Sequence, residues 1–224
     1  MLTPNDFFDL SSYAHRSLFA GVTYVWDALK NLNAYLEQNL VQGNQAQVHP
    51  SAVIEGPVMI GEGTIIEPGV MIKGPVIIGK HCQIRQGAYI RENCLIGDNC
   101  VVGHTSELKG TIMLDHSQAP HFAYVGDSIL GNKVNLGAGS KLSNLKITHD
   151  RVRLIIDGVA YDTGLRKLGA ILGDNVQLGC NCVTAPGTLV GRDTLIYSLA
   201  APRGYYPPNS IVKLHQDLEV VPRR

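Results

Sequence analysis

From Val48 onward, every sixth residue is a large aliphatic: Val48, Ile54, Ile60, Ile66, Ile72, Ile78, Ile84, Ile90, Ile96, Val102, Leu108 and Leu114. A six-residue apolar period fits neither the 3.6 period of an amphipathic helix nor the two-residue alternation of a strand. It is the signature of hexapeptides wound into a parallel β-helix. Two positions earlier the residue is small or branched, as at Val58, Thr64, Val70, Val76, Cys82, Ala88, Cys94 and Cys100. Gly61, Gly79 and Gly97 follow the aliphatic residue, where the wall turns sharply. Three hexapeptides make one coil of a triangular prism, so residues 18 apart stack at about the 4.8 Å spacing of neighbouring strands.

The period breaks once. After Leu114 it predicts Pro120 and Gly126, but it resumes as Tyr124, Leu130, Leu136 and Leu142, a slip of four centred on "APHFAYVGD". The new phase returns at Leu172, Leu178, Thr184, Val190 and Ile196. Residues 143–171 are therefore predicted to leave the coil as an inserted loop or hairpin, and "VRLII" with Gly158 favours the hairpin. Residues 1–45 lack the period. Val25, Leu29, Leu32, Leu36 and Leu40 instead carry helical spacing, with Gly43 placed to end the helix. The expected organisation is mainly β: an N-terminal helical or linker segment (1–45), the β-helix (46–200), and an extended tail (201–224) in which Pro207 and Pro208 disfavour regular structure.

Charge narrows the function. The 224 residues carry 19 basic and 19 acidic side chains, which gives no global field to attract nucleic acid or an acidic membrane. No run approaches the ~18 apolar residues of a membrane span, and "MLTPNDFFDL" is no signal peptide, so a cytoplasmic protein is expected. Five cysteines without a disulfide-framework spacing agree with a reducing compartment. Cys82, Cys94, Cys100 and Cys182 fill the small inward position and read as core; Cys180 departs from it.

Stacking converts spacing into geometry. Lys73, Arg91 and Lys109 lie 18 apart, each directly after an inward aliphatic, and should form a cationic column on one outer edge. Such a column is either a solvated face or a phosphate site. His121 is either a surface residue or a proton acceptor carried by the irregular segment. His15, His49, His81, His149 and His215 have no supporting constellation. His81, His116 and His121 leave open a zinc site between subunits, as in the γ-class carbonic anhydrases, although the usual histidine-glycine contexts are absent. There is no nucleotide-phosphate loop and no dinucleotide fingerprint.

The stretch "ELKGTIMLDHSQAPHFAYVGDSILGNKVNLGAGSKLSN" resembles the acetyltransferase domain of the bifunctional N-acetylglucosamine-1-phosphate uridyltransferase/glucosamine-1-phosphate acetyltransferases, through "HFAYVGD" and "VNLGAG". The resemblance implies a left-handed coil, a homotrimer, and acetyl transfer from acetyl-CoA, as co-substrate and without a metal, to glucosamine-1-phosphate or a close amino-sugar phosphate. It implies His121 as general base and Asn144 beside the acetyl group. Arg91, Lys109, Tyr124 and Asn135 match sugar-phosphate contacts, and Lys167 matches a lysine that another subunit supplies. Ala138, Cys180 and Ser198 match the acetyl-CoA groove. Two positions depart from the pattern: Cys180 stands for a serine, and Leu145 for a tyrosine. "VWDALKNLNAYLEQN" resembles the linker helix that follows the nucleotidyltransferase half of such proteins. The expectation is thus an acetyltransferase half alone, or a catalytically degenerate coil that binds a sugar nucleotide or partners a separate nucleotidyltransferase.

Overall fold

Hexapeptides leave room only for short strands between corners, and the computed structural model, which describes residues 2–223, is a left-handed parallel β-helix. Its strands stack into three parallel sheets. Sheet A has nine strands, from Gly43–Asn44 to Tyr205–Tyr206; sheet B has nine, from Gln47–Val48 to Ile211–Val212; sheet C has seven, from Val53–Glu55 to Val183–Thr184. The prism is filled by inward residues such as Ile60, Ile78, Ile96, Met113, Leu130, Leu172 and Val190. The inward cysteines are sealed in this core: Cys82 Sγ donates to the Gly97 carbonyl at 3.1 Å, and burial pushes the Cys94 thiol up to about 12.

The phase break differs from its sequence reading. Met113, Ala119 and Val125 point inward, whereas Leu114 faces the second apolar cluster and Tyr124 stands on the outer face. The wall loses one residue between Leu108 and Met113 and one more between Val125 and Leu130, so the register shortens from 18 residues to 17 in two successive coils. Two single deletions and a four-residue slip are equivalent in a period of six. The irregularity therefore lies at the corner from sheet C to sheet A, which carries Lys109, Gly110 and Asp127. His121 ends the regular strand Gln118–His121 on sheet B.

Two boundaries also move. Gly43 does not cap the helix but pairs with Met59 in the first coil, and helix α2 spans Asp27–Asn39. Beyond residue 200 the chain is not simply extended. Tyr205–Tyr206 and Ile211–Val212 add a last coil against Leu189–Val190 and Leu195–Ile196, with Pro207 and Pro208 in the corner between them, where no ladder hydrogen bond is required.

Sheet A is apolar on both sides. Its outer column, Met59, Ile77, Leu95, Ile112, Ile129, Ile171 and Leu189, packs under residues 2–40, including helix α1 (Pro4–Phe7), a 3₁₀ turn (Arg16–Phe19) and Leu32 and Leu36 of α2. This N-terminal segment docks on its own coil: Asp174 accepts from the Asp9 amide at 2.6 Å, and the Phe7 carbonyl accepts from the Asp174 amide at 3.0 Å. The inserted segment is an antiparallel hairpin, Arg153–Ile156 with Val159–Asp162, and its turn places Asp157 (φ 50°) and Gly158 (φ 77°) in the left-handed region that such tight turns require. Val152, Leu154 and Ile156 join the same apolar cluster. Among the described residues, no outward side chain of sheets B and C joins this second apolar cluster.

Candidate functional site

On sheet C, outward side chains come in two columns, because alternate residues of a strand share a face. One column runs Met71, Tyr89, Glu107 and Tyr124. The other runs Glu55, Lys73, Arg91, Lys109 and Gly126, set by the same ladders. The sequence-derived cationic column is thus present, but Arg91 and Lys109 in it already have carboxylate partners. Arg91 Nη1 lies 3.1 Å from Glu107 Oε1, and that hydrogen bond holds the guanidinium above its ordinary pKa. Lys109 Nζ lies 3.8 Å from Asp127 Oδ1. Tyr89 interleaves the column, with Lys73 Nζ and the Arg91 guanidinium each 5.9 Å from its ring centre.

At the shortened corner the column meets a buried amide. Asn144 is 9% exposed; its Nδ2 donates to Asp127 Oδ2, and its Oδ1 accepts from Tyr124 Oη at 3.4 Å. Burial raises the Tyr124 phenol, with the Glu107 and Asp127 charges adding to it. Gly126 makes this approach possible, since a Cβ there would stand 2.6 Å from Asn144 Nδ2 and 2.7 Å from Tyr124 Oη. Lys109, Asp127, Asn144 and Tyr124 form one continuous polar network.

The corner from sheet B to sheet C gathers a second set. The amide after each corner residue donates to the carbonyl one coil below: Phe122 to His104 and Gly139 to His121 at 3.0 Å, Asn181 to Ala138 at 2.8 Å, and Leu199 to Cys180 at 2.9 Å. His104, His121, Ala138, Cys180 and Ser198 therefore occupy one vertical column. His121, Cys180 and Ser198 are exposed in it. A shallow groove of ≈ 460 Å³ adjoins its upper end, lined by Tyr197, Ser198, Leu199 and, from the C-terminal segment, Leu214.

Not every sequence-derived residue converges within the chain. Asn135 projects from sheet B, paired with Gln118 and Gln177, around the corner from Tyr124. Lys167 is exposed at the base of the hairpin, where it bridges Leu145. His81 and His116 sit at the corner from sheet A to sheet B, a whole strand away from His121, so the three imidazoles do not meet in one protomer. Glu107, Asp127 and His104 were missed by sequence reasoning. The ladder spacing points to Glu107, which lies two residues before Lys109. His104 was hidden because a uniform 18-residue coil stacks residue 104 on Phe122 instead of His121.

Comparison with known proteins decides the relationship. The bacterial transferase hexapeptide model (six repeats) matches residues 43–74, and the GMPPB C-terminal domain model matches residues 72–163. The "Bifunctional protein GlmU" of Methanococcus vannielii is 39% identical over 171 residues, covering 76% of this chain and 41% of that protein. The chain is similar to the GlmU proteins over its hexapeptide repeats. The "Bifunctional sugar-1-phosphate nucleotidylyltransferase/acetyltransferase" of Sulfurisphaera tokodaii is 36% identical over 96 residues, covering 43% of this chain and 24% of that one. The chain thus spans less than half the length of these curated relatives. Among solved structures, a UDP-N-acetylglucosamine acyltransferase aligns at 15% identity and a TM-score of 0.46, over 73% of this chain and 71% of that one. The candidate site residues from Arg91 through Asn144 fall inside the second matched model, and Lys167, Cys180 and Ser198 lie beyond it. Among the described residues, no helix is long and apolar enough to cross a membrane.

Proposed function

We propose that the chain transfers an acetyl group from acetyl-CoA to the amine of an amino-sugar phosphate such as glucosamine-1-phosphate. The observation that carries this reading is the exposed His121 at the corner from sheet B to sheet C, which leads onto the outer face of the sheet that carries Tyr124, Arg91 and Lys109. The amine nitrogen attacks the thioester carbonyl carbon, and the His121 imidazole takes the amine proton. The carbon–sulfur bond then breaks, and the departing thiolate receives a proton to leave as CoA. Arg91 and Lys109 hold the phosphate by replacing their carboxylate partners Glu107 and Asp127, and this orients the amine. The Asn144 amide, fixed by Asp127 and Tyr124, lies beside the acetyl group. Asn135 and Lys167, which do not reach the Arg91 face within one protomer, serve sites formed between neighbouring copies, in a homotrimer joined through the free faces of sheets B and C. Ala138, Cys180 and Ser198 line the path of the CoA arm along the corner column.

The names of two relatives, a bifunctional GlmU and a bifunctional sugar-1-phosphate nucleotidylyltransferase/acetyltransferase, support the substrate class. The deciding measurement is release of free CoA from acetyl-CoA on addition of glucosamine-1-phosphate to the purified protein. Release is expected, and its absence overturns the reading. One observation favours a second reading, a coil that partners a separate nucleotidyltransferase: Arg91 and Lys109 are already paired within the chain. Co-purification with such a partner, without CoA release, would establish it instead.

A further inference from the structure

The corner from sheet B to sheet C turns through the left-handed region in coil after coil: Gly69 (φ 69°), Gly87 (φ 70°), Thr105 (φ 48°), Phe122 (φ 51°), Gly139 (φ 76°), Asn181 (φ 55°) and Leu199 (φ 66°). Glycine takes this conformation freely and asparagine readily, whereas a bulky side chain is strained in it. At the other corners the non-glycine residues with positive φ are mostly Asn, Asp and His. Phe122 and Leu199 are the two large apolar side chains in that region among the described residues, and both are exposed, at 57% and 55%. Neither earns its strain by filling the core.

Phe122 directly follows His121 and is held in place. Its ring meets the His104 imidazole edge-on, with centres 5.3 Å apart and planes at 76°. His104 is itself tethered, its Nδ1 lying 3.0 Å from the Gln86 carbonyl oxygen. On the other side of Phe122 the corner carries only Ala138 and Gly139 from the next coil, and the Asn181 side chain of the coil beyond reaches over Gly139. The next large side chain along this left-handed column is Leu199, three coils on, or about 14 Å at the usual strand spacing. The corner therefore has an apolar side chain at each end, Ala138, Gly139, Cys180 and Asn181 between them, and His121 beside Phe122.

Granted the acetyl-transfer reading, the thioester carbonyl must lie beside His121 while the CoA arm leaves along Ala138, Cys180 and Ser198. The acyl tail then points away from that arm, toward Phe122. We propose that Phe122, braced by His104, is the stop that limits the acyl group to one or two carbons. A methyl fits before the ring, and each added methylene must displace a side chain that His104 holds. His104 acts through Phe122 and is a positioning residue.

The test compares acetyl-CoA with butyryl-CoA on the full chain, by calorimetric binding and by kcat/KM with glucosamine-1-phosphate. One methylene at a closed apolar wall discriminates roughly 10- to 200-fold, so wild type is expected to favour acetyl-CoA by at least that range. Phe122→Ala should lower the preference at least tenfold, Phe122→Leu should lower it less, and His104→Ala should shift it in the same direction as Phe122→Ala by a smaller factor. An unchanged preference in Phe122→Ala, or a wild type that takes butyryl-CoA as well as acetyl-CoA, overturns the proposal. The two readings fail differently. Wild type that binds acetyl-CoA tightly but releases no CoA ends the transfer reading alone, and the ratio of binding constants still decides the stop. Wild type that binds neither thioester overturns both.

Discussion

Sheets A and C are built from the same repeat, yet their outer faces have opposite characters. On sheet A the outer column is Ile77, Leu95, Ile112, Ile129, Ile171 and Leu189, all fully buried under the N-terminal segment. On sheet C the equivalent positions carry Tyr89, Glu107, Tyr124 and Lys141, and the adjoining column carries Lys73, Arg91 and Lys109. The inward residues of both sheets are aliphatic and interchangeable in kind. The hexapeptide repeat thus constrains only the inner face of the coil. Its outer faces are left for other work, one for fastening the N-terminal segment and one for charge.

That division makes predictions in which stability and activity separate. Replacing His121 with alanine should lower kcat/KM for acetyl transfer by about 10²–10⁴, the usual worth of a general base, while the melting temperature stays within the wild-type range because the side chain is exposed. A variant with full activity would remove His121 from the chemistry. Leu95→Ala, on the covered face, should behave in the opposite way. It should destabilise by about 2–5 kcal/mol through loss of burial and the cavity left behind, whereas Val183→Ala on the outer face of sheet C, where the side chain is 40% exposed, should change stability by less than about 0.5 kcal/mol. Equal losses in denaturant titrations would show that the two faces are not distinct.

A smaller effect sharpens the role of the charged column. Arg91→Ala should raise the KM for the sugar phosphate roughly tenfold or more, the loss expected for a hydrogen bond to a charged group, and leave kcat less affected. A change confined to kcat would place Arg91 in the chemical step instead. The smallest effect comes from the covered side. His15 hydrogen-bonds Tyr35 at 3.0 Å, and burial lowers its pKa. Below its ordinary value of about 6.5 the unfolded chain takes up a proton that the folded chain resists, so this residue makes stability fall as pH drops and recover as pH rises. His15→Phe should flatten that part of the pH profile below about pH 6.5. An unchanged slope would locate the dependence elsewhere.

How far the site was legible depended on the residue. Arg91 and Lys109 could be stacked from spacing alone, since below Leu108 the 18-residue coil is regular and register follows from counting. Glu107 was within reach of the same count, since it lies two residues before Lys109 on the same face, whereas Asp127 was not, because it lies at the shortened corner. His121 drew attention through a break in phase, but the break belongs to the neighbouring corner. Counting gave the right total shift and the wrong place for it. Cys180, Ala138 and Ser198 form one column only after the inserted hairpin is removed from the count.

The sequence by itself determined the coil, its parallel stacking and the aliphatic lining of its core, because a hexapeptide period is a local property that each strand and corner satisfies on its own. It also marked the irregular stretch after Leu142, because the aliphatic period lapses there and returns at Leu172, although Ala170 and Ile171 already belong to sheet A. The tertiary structure decided which outer face is covered, how two one-residue deletions were shared between corners, and which cations are paired. Those outcomes depend on contacts between residues far apart in the chain, such as Asp9 with Asp174 and Arg91 with Glu107. A period of six is blind to them because it cannot tell a gain of four from a loss of two.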